Sequence, residues 1–117
     1  MRRPITPTAH GALDYTTSAA VVAVPEALDF PPAARRLFRT LALTYTGVSA
    51  LTNYPLSVRR VIPFKAHGAA ELAIAAALPA LPWALGFADH RPARNMCFAL
   101  TALTLVVAAL TDWRAER

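Results

Sequence analysis

"RRPITPTAHGALDY" (residues 2–15) and "RRVIPFKAHGAAEL" (residues 59–72) are two versions of one segment, 57 residues apart. Each places a histidine four residues before a carboxylate, as His10–Asp14 and His67–Glu71, at the head of an alanine-rich apolar stretch. Residues four apart share one face of a helix, so each pair is a single surface feature rather than two. Ile5, Ala9, His10, Gly11, Ala12, Ala19, Ala20, Ala23, Pro25, Ala27, Leu28 and Phe30 all recur at that offset. Alanine matches are cheap in this composition; those at histidine, glycine, proline and phenylalanine are not. Further on the offset becomes 59, setting "ALTNY" (50–54) over "ALTDW" (109–113). The chain therefore reads as one domain, residues 1–117, with internal repeats at about 2–56 and 59–115.

Composition decides what surrounds the repeats. Of the 117 residues 56% are hydrophobic and only 16% charged, against about 25% charged in ordinary soluble domains. Mean hydropathy is +0.37. A domain this small has much surface to cover relative to its volume, and too few charges to cover it for water. Four stretches carry no formal charge: 15–25, 40–58, 72–88 and 95–111. The last three approach the roughly 17–25 residues that cross hydrocarbon as a helix; the first needs His10 and Asp14 included to be long enough. Helices are expected at about 8–24, 34–54, 64–81 and 92–113. Pro25, Pro31 and Pro32 separate the first two, Pro55 and Pro63 bracket the central link, and Pro82, Gly86 and Pro92 mark the third connection, because proline cannot continue the helical ladder. Pro79 predicts a kink or early stop in the third helix. Short connections predict antiparallel neighbours.

The fold class that follows is all-α: four transmembrane helices as two tandem helical hairpins. Each repeat contains an even number of spans, so the repeats are parallel rather than inverted. The net charge of +5 could signal nucleic acid, but ten of the twelve basic residues lie beside segment ends and no basic–aromatic stripe appears. Nucleic acid is not expected as a partner; the lipid bilayer is, with a second copy of the chain or another membrane protein beside it. Arg2, Arg3, Arg59, Arg60, Lys65, Arg114 and Arg117 fall on the side of the termini, and Arg35, Arg36, Arg39, Arg91 and Arg94 on the other. That bias places the termini in the cytoplasm of a cell whose inner membrane holds the chain. Tyr54 and Trp113 are then expected at one interface and Trp83 near the other. His10 and Asp14 interrupt any signal-peptide core, so the first segment is expected to stay.

At "LPWALGF" (81–87) the chain is similar to the SPW-repeat family of small bacterial and archaeal integral membrane proteins. Pro82, Trp83, Gly86 and Phe87 carry the likeness, with Leu81 where serine is usual. The first copy, "VPEALDF" (24–30), keeps Pro25 and Phe30 but has Glu26 for tryptophan and Asp29 for glycine. "HGALDY" is similar to the opening of such proteins too. The resemblance implies a multi-pass membrane protein and implies no activity.

Three readings of His10, Asp14, His67 and Glu71 stay open. In the first, imidazoles and carboxylates satisfy one another across the repeats and lock the hairpins together, while Gly11 and Gly68 let helices approach closely. In the second they form a proton or small-solute site, since intramembrane ionisable groups default to function. Thr17 extends that face, but its counterpart is Ile74. In the third they bind a metal, for which two histidines and two carboxylates suffice. There is no HExxH, no Glu-x-x-His and no cysteine cluster, so neither metal nor cofactor is expected. His90 is expected in solvent, and Cys97, the only cysteine, in packing. The threonines at 44, 46 and 52 can bond their own helices. No nucleophile–base–acid set, P-loop or nucleotide-binding glycine pattern appears, so no catalytic residue is assigned. The expected role is non-enzymatic: a membrane scaffold or accessory subunit. Its rivals are a proton or small-solute transport or sensing module and a soluble helical interaction protein.

Overall fold

The structure, a computed structural model, describes residues 3–114. Arg2 and Arg117, counted above for orientation, lie outside the described residues. Among the described residues every named element is a helix. Helix α1 spans Pro7–Ala27, α2 Pro32–Ala50 and α3 Phe64–Ala77; a 3₁₀ turn (Leu78–Ala80) and the short α4 (Leu81–Ala84) carry on from α3, and α5 spans Arg91–Leu110. Helix α1 packs on α2, and α3 on α5, so each repeat is a hairpin. The expected neighbours α2 and α3 are not among the closely packed helix pairs; their side chains meet around a cavity of about 30 Å³.

Each helix buries one narrow seam. In α1 it passes through Pro7, Gly11, Asp14, Ser18, Val21 and Pro25; in α3, the 3₁₀ turn and α4 through Phe64, Gly68, Glu71, Ala75, Leu78 and Pro82. Those spacings alternate four and three, the heptad rhythm of a helix contacting its neighbour along one stripe. Helices α2 and α5 repeat it as Ala34, Phe38, Leu41, Tyr45, Val48 and Ala93, Cys97, Leu100, Thr104, Val107. Along this seam the contents change. At the end of the α1–α2 and α4–α5 connections lies an apolar core of Val21, Phe30, Phe38, Leu41, Leu78, Phe87, Cys97 and Leu100. At the other end the fully buried residues include His10, His67, Thr52 and Thr111.

Two signals start and stop the helices. Thr6 caps α1, its Oγ1 accepting from the Ala9 N–H at 3.2 Å, with Pro7 in the first turn. The motif 24–30 ends α1. Phe30 N–H donates to Pro25 O at 2.9 Å and Asp29 N–H to Glu26 O at 3.3 Å, with Asp29 left-handed at φ 53°. The motif 81–87 does the same: Phe87 N–H to Pro82 O at 2.9 Å and Gly86 N–H to Trp83 O at 3.3 Å, with Gly86 at φ 79°. This is the Schellman stop, in which a left-handed residue lets the chain turn back onto the last free carbonyls. Pro79 ends regular α3 geometry at Ala77, as expected of a residue that cannot donate to the ladder. Helices α2 and α5 end earlier than 54 and 113 because their following residues pair elsewhere. Thr52 bridges Ile62, and Thr111 bridges Ile5.

Helix α5 is long and apolar enough to cross a membrane, with mean hydropathy 1.7 and only 17% of that window buried. The other helices do not meet that measure among the described residues: α1 carries Asp14 and Glu26, α2 carries three arginines, and α3 stops after 14 residues. The long dimension is 42 Å.

Candidate functional site

His10 and His67 occupy the first turns of α1 and α3, and Asp14 and Glu71 the turns that follow. Each hairpin thus brings one imidazole and one carboxylate to the same level, and the four converge. His67 Nε2 lies 2.7 Å from Glu71 Oε1 and 2.9 Å from Asp14 Oδ2. His10 Nε2 lies 3.3 Å from Glu71 Oε2 and 3.4 Å from Asp14 Oδ2. The pairing crosses the repeats, since each histidine meets both its own helix's carboxylate and the other's. The imidazoles are fully buried, whereas the side chains of Asp14 and Glu71 keep 12% and 13% exposure.

The far nitrogens determine how the rings are oriented. Thr111 Oγ1–H donates to Val107 O at 2.6 Å, and Thr52 Oγ1–H to Val48 O at 2.5 Å. Each hydroxyl has only one proton, so toward the imidazoles these oxygens accept. His10 Nδ1–H donates to Thr111 at 2.9 Å, and His67 Nδ1–H to Thr52 at 2.6 Å. Both Nε2 atoms therefore point at the carboxylates, and each carries either a second proton or a free lone pair. Two lone pairs facing two anions would repel in so dry a place, so protons or a cation must lie between them. Ser49 Oγ–H donates to Asp14 Oδ2 at 3.3 Å.

Aromatic side chains close the terminal side. Phe64 stacks at 4.7 Å from Trp113, and both contact His10, at 5.4 and 5.1 Å between ring centroids. Tyr54 sits 5.8 Å from both Phe64 and His67. Its hydroxyl is buried without a partner among the described residues, and burial pushes its phenol above the ordinary value. On the opposite side a cavity of about 40 Å³ reaches Asp14 and Glu71 between Thr17, Tyr45 and Thr104. That is room for more than one water, with polar partners to hold it.

Several expectations need correction. Tyr54 is fully buried rather than presented to an interface, and both it and the half-buried Trp113 cover the histidines. Gly11 and Gly68 do not serve backbone-to-backbone approach. A Cβ at Gly68 would stand 2.7 Å from the Trp113 ring, and one at Gly11 3.1 Å from the Tyr54 ring, so the glycines receive the aromatic cover. His90 is not simply solvated: Nδ1 caps α5 by accepting from the Ala93 N–H at 3.2 Å, and its ring meets Phe30. Cys97 is buried in the apolar core. Of the motif residues, Pro25, Phe30, Pro82 and Phe87 are buried, Gly86 turns the chain and Trp83 is 60% exposed. Thr52 and Thr111 are the functional residues that sequence reasoning passed over. Their signal is the recurring "ALT" of 50–52 and 109–111. Comparison with family models, curated proteins and solved structures gave no match to this chain.

Proposed function

We propose that this chain is a small multi-pass integral membrane protein of the inner membrane, a non-enzymatic scaffold or accessory subunit whose two hairpins are clasped by the His10–Asp14–His67–Glu71 centre. The observation that carries this reading is the inversion of polarity across the seam. His10, Ser18, Ser49, Thr52, His67 and Thr111 are buried, while Val22, Leu43, Leu72, Phe98, Leu105 and Val106 face out, at 38–76% exposure. Water-soluble helical proteins arrange these the other way. The charges support it as well: Arg3, Arg59, Arg60, Lys65 and Arg114 gather at one end, and Arg35, Arg36, Arg39, Arg91 and Arg94 at the other. The 42 Å length matches the roughly 40–45 Å of a bilayer with its headgroups. The likeness of residues 81–87 to the SPW-repeat motif points the same way. Partners of this kind of molecule are other helices in the membrane, a second copy included. Alkaline carbonate extraction is the test: the protein stays in the membrane pellet, and its release into the supernatant would favour a soluble interaction protein instead.

One observation favours a second reading. A cavity large enough to hold water lies beside Asp14 and Glu71, and a proton or small-solute path requires such a place. In proteoliposomes the wild-type chain would then dissipate a pH gradient and Asp14→Asn would not; no flux from the wild type leaves the scaffold reading.

A further inference from the structure

We propose that His10, Asp14, His67 and Glu71 form a tetrahedral binding site for one divalent transition-metal ion of the zinc class, ligated by both Nε2 atoms and one oxygen of each carboxylate. The proposal rests on the reading of this centre as the clasp between hairpins, and names what closes it. One ligand atom from each of the four side chains lies within 4.8 Å of every other. Ligands about 2.0–2.1 Å from a zinc ion stand about 3.3–3.4 Å apart along the edges of a tetrahedron. With Oε1 of Glu71 and Oδ2 of Asp14 as the ligand oxygens, the imidazole–carboxylate separations are 2.7 and 3.4 Å to Glu71 and 2.9 and 3.4 Å to Asp14, two at that edge and two inside it. Small outward movements of Glu71 and Asp14 would open the centre to a metal without moving a helix.

The surroundings are those of a ligand set prepared in advance. Metal-binding histidines characteristically donate their second N–H to an oxygen, which sets tautomer and ring plane. Thr111 and Thr52 do this for both rings, each hydroxyl having spent its own proton on a backbone carbonyl. With Nε2 unprotonated on both rings, the two lone pairs face the same two carboxylates. All four groups share a single centre, with Ser49 Oγ 3.3 Å from Asp14 Oδ2 as a further donor beside it. The charge also closes, since a divalent ion with two carboxylates and two neutral imidazoles sums to zero where a net charge would be costly. Nitrogen and oxygen ligands without thiolate suit zinc and its neighbours. With four protein ligands the site is closed, the arrangement of a structural ion. Asp14 and Glu71 are its accessible members, so the ion enters from the cavity side.

The test uses untagged full-length protein in detergent, stripped with chelator and titrated with Zn²⁺ and, separately, Co²⁺. The expected result is one ion per chain, the intense visible absorption of tetrahedral Co²⁺, and a higher unfolding temperature with Zn²⁺. Thr52→Ala and Thr111→Ala keep all four ligands and are expected to weaken binding about 10–100-fold. A wild-type chain that is helical and monodisperse yet takes up neither ion overturns the proposal. So does uptake unchanged in the His10→Gln/His67→Gln variant. Should that variant fail to fold, the Co²⁺ spectrum of the wild type decides: octahedral absorption counts against the site. The clasp fails separately, if the metal-free His67→Gln chain unfolds at the wild-type temperature. The membrane reading fails separately again, in the carbonate extraction.

Discussion

The hydroxyls of Thr52 and Thr111 show how much of the site a single residue can govern. Each accepts an imidazole N–H in a place with no water to replace it. Thr52→Val or Thr111→Val keeps the side-chain volume and orphans that N–H, a loss of about 1–3 kcal/mol; Thr→Ser at either position recovers most of it. Unfolding in detergent measures both. Gly68 and Gly11 differ in degree. Gly68→Ala drives a methyl into the Trp113 ring at 2.7 Å and is expected to cost about 1–3 kcal/mol, while Gly11→Ala, at 3.1 Å from Tyr54, costs less. The four ionisable residues were legible in the sequence because a repeated charge in an apolar chain has few innocent explanations. Thr52 and Thr111 were not, because a helical threonine bonds its own backbone whether or not anything else depends on it. Nor were the aromatic lids: Tyr54 and Trp113 near segment ends read equally well as interfacial anchors, and only the fold turns them inward.

The helices themselves followed from proline, periodicity and charge-free length, and their limits fall within a few residues of expectation at most ends. Regular α3 stops at Ala77, where Pro79 forces the 3₁₀ turn; the early ends after Ala50 and Leu110 are where backbone groups leave the helix to pair with the opposite repeat. No local signal marks such a departure, since its partner lies in the other half of the chain. The Schellman stops are legible in retrospect as Pro-x-x-x-Gly-Phe in the second copy and Pro-x-x-x-Asp-Phe in the first, with a left-handed residue in fifth place. They make a prediction of opposite sign at equivalent positions. Gly86→Ala has free space for its methyl but must hold φ near 79°, and is expected to lose about 1–2 kcal/mol. Asp29→Gly relieves the same conformation and gains less than about 1 kcal/mol, after the higher chain entropy of glycine is offset. Asp29 lies 3.8 Å from Arg35 but is 93% exposed, so losing that ion pair costs little. Thermal unfolding of the two variants beside the wild type checks the signs.

At the scale of the molecule, backbone pairing and side-chain chemistry obey one exchange. Ile5 N–H donates to Leu110 O at 2.9 Å and Asp112 N–H to Ile5 O at 2.8 Å; Ile62 N–H donates to Leu51 O and Asn53 N–H to Ile62 O, both at 2.7 Å. The start of each half is thus tied to the end of the other, as His10 is to Thr111 and His67 to Thr52. The sequence repeat foretold two similar hairpins; it carried no information on how they exchange partners, because that depends on pairing between halves. A permuted chain that begins at Arg60, runs to Arg117 and continues from Met1 to Arg59 is expected to keep the wild-type helicity and to unfold within a few degrees of it. Failure to fold would mean that the two junctions are not equivalent. Their equivalence reaches further than the permutant. Both backbone junctions and the two cross-repeat contacts of the imidazoles with carboxylates join opposite halves, so there the covalent tether supplies proximity. One half, made alone, holds one copy of each group the centre needs and would complete it by associating with its twin, at the cost of a dependence on its own concentration that the joined chain escapes.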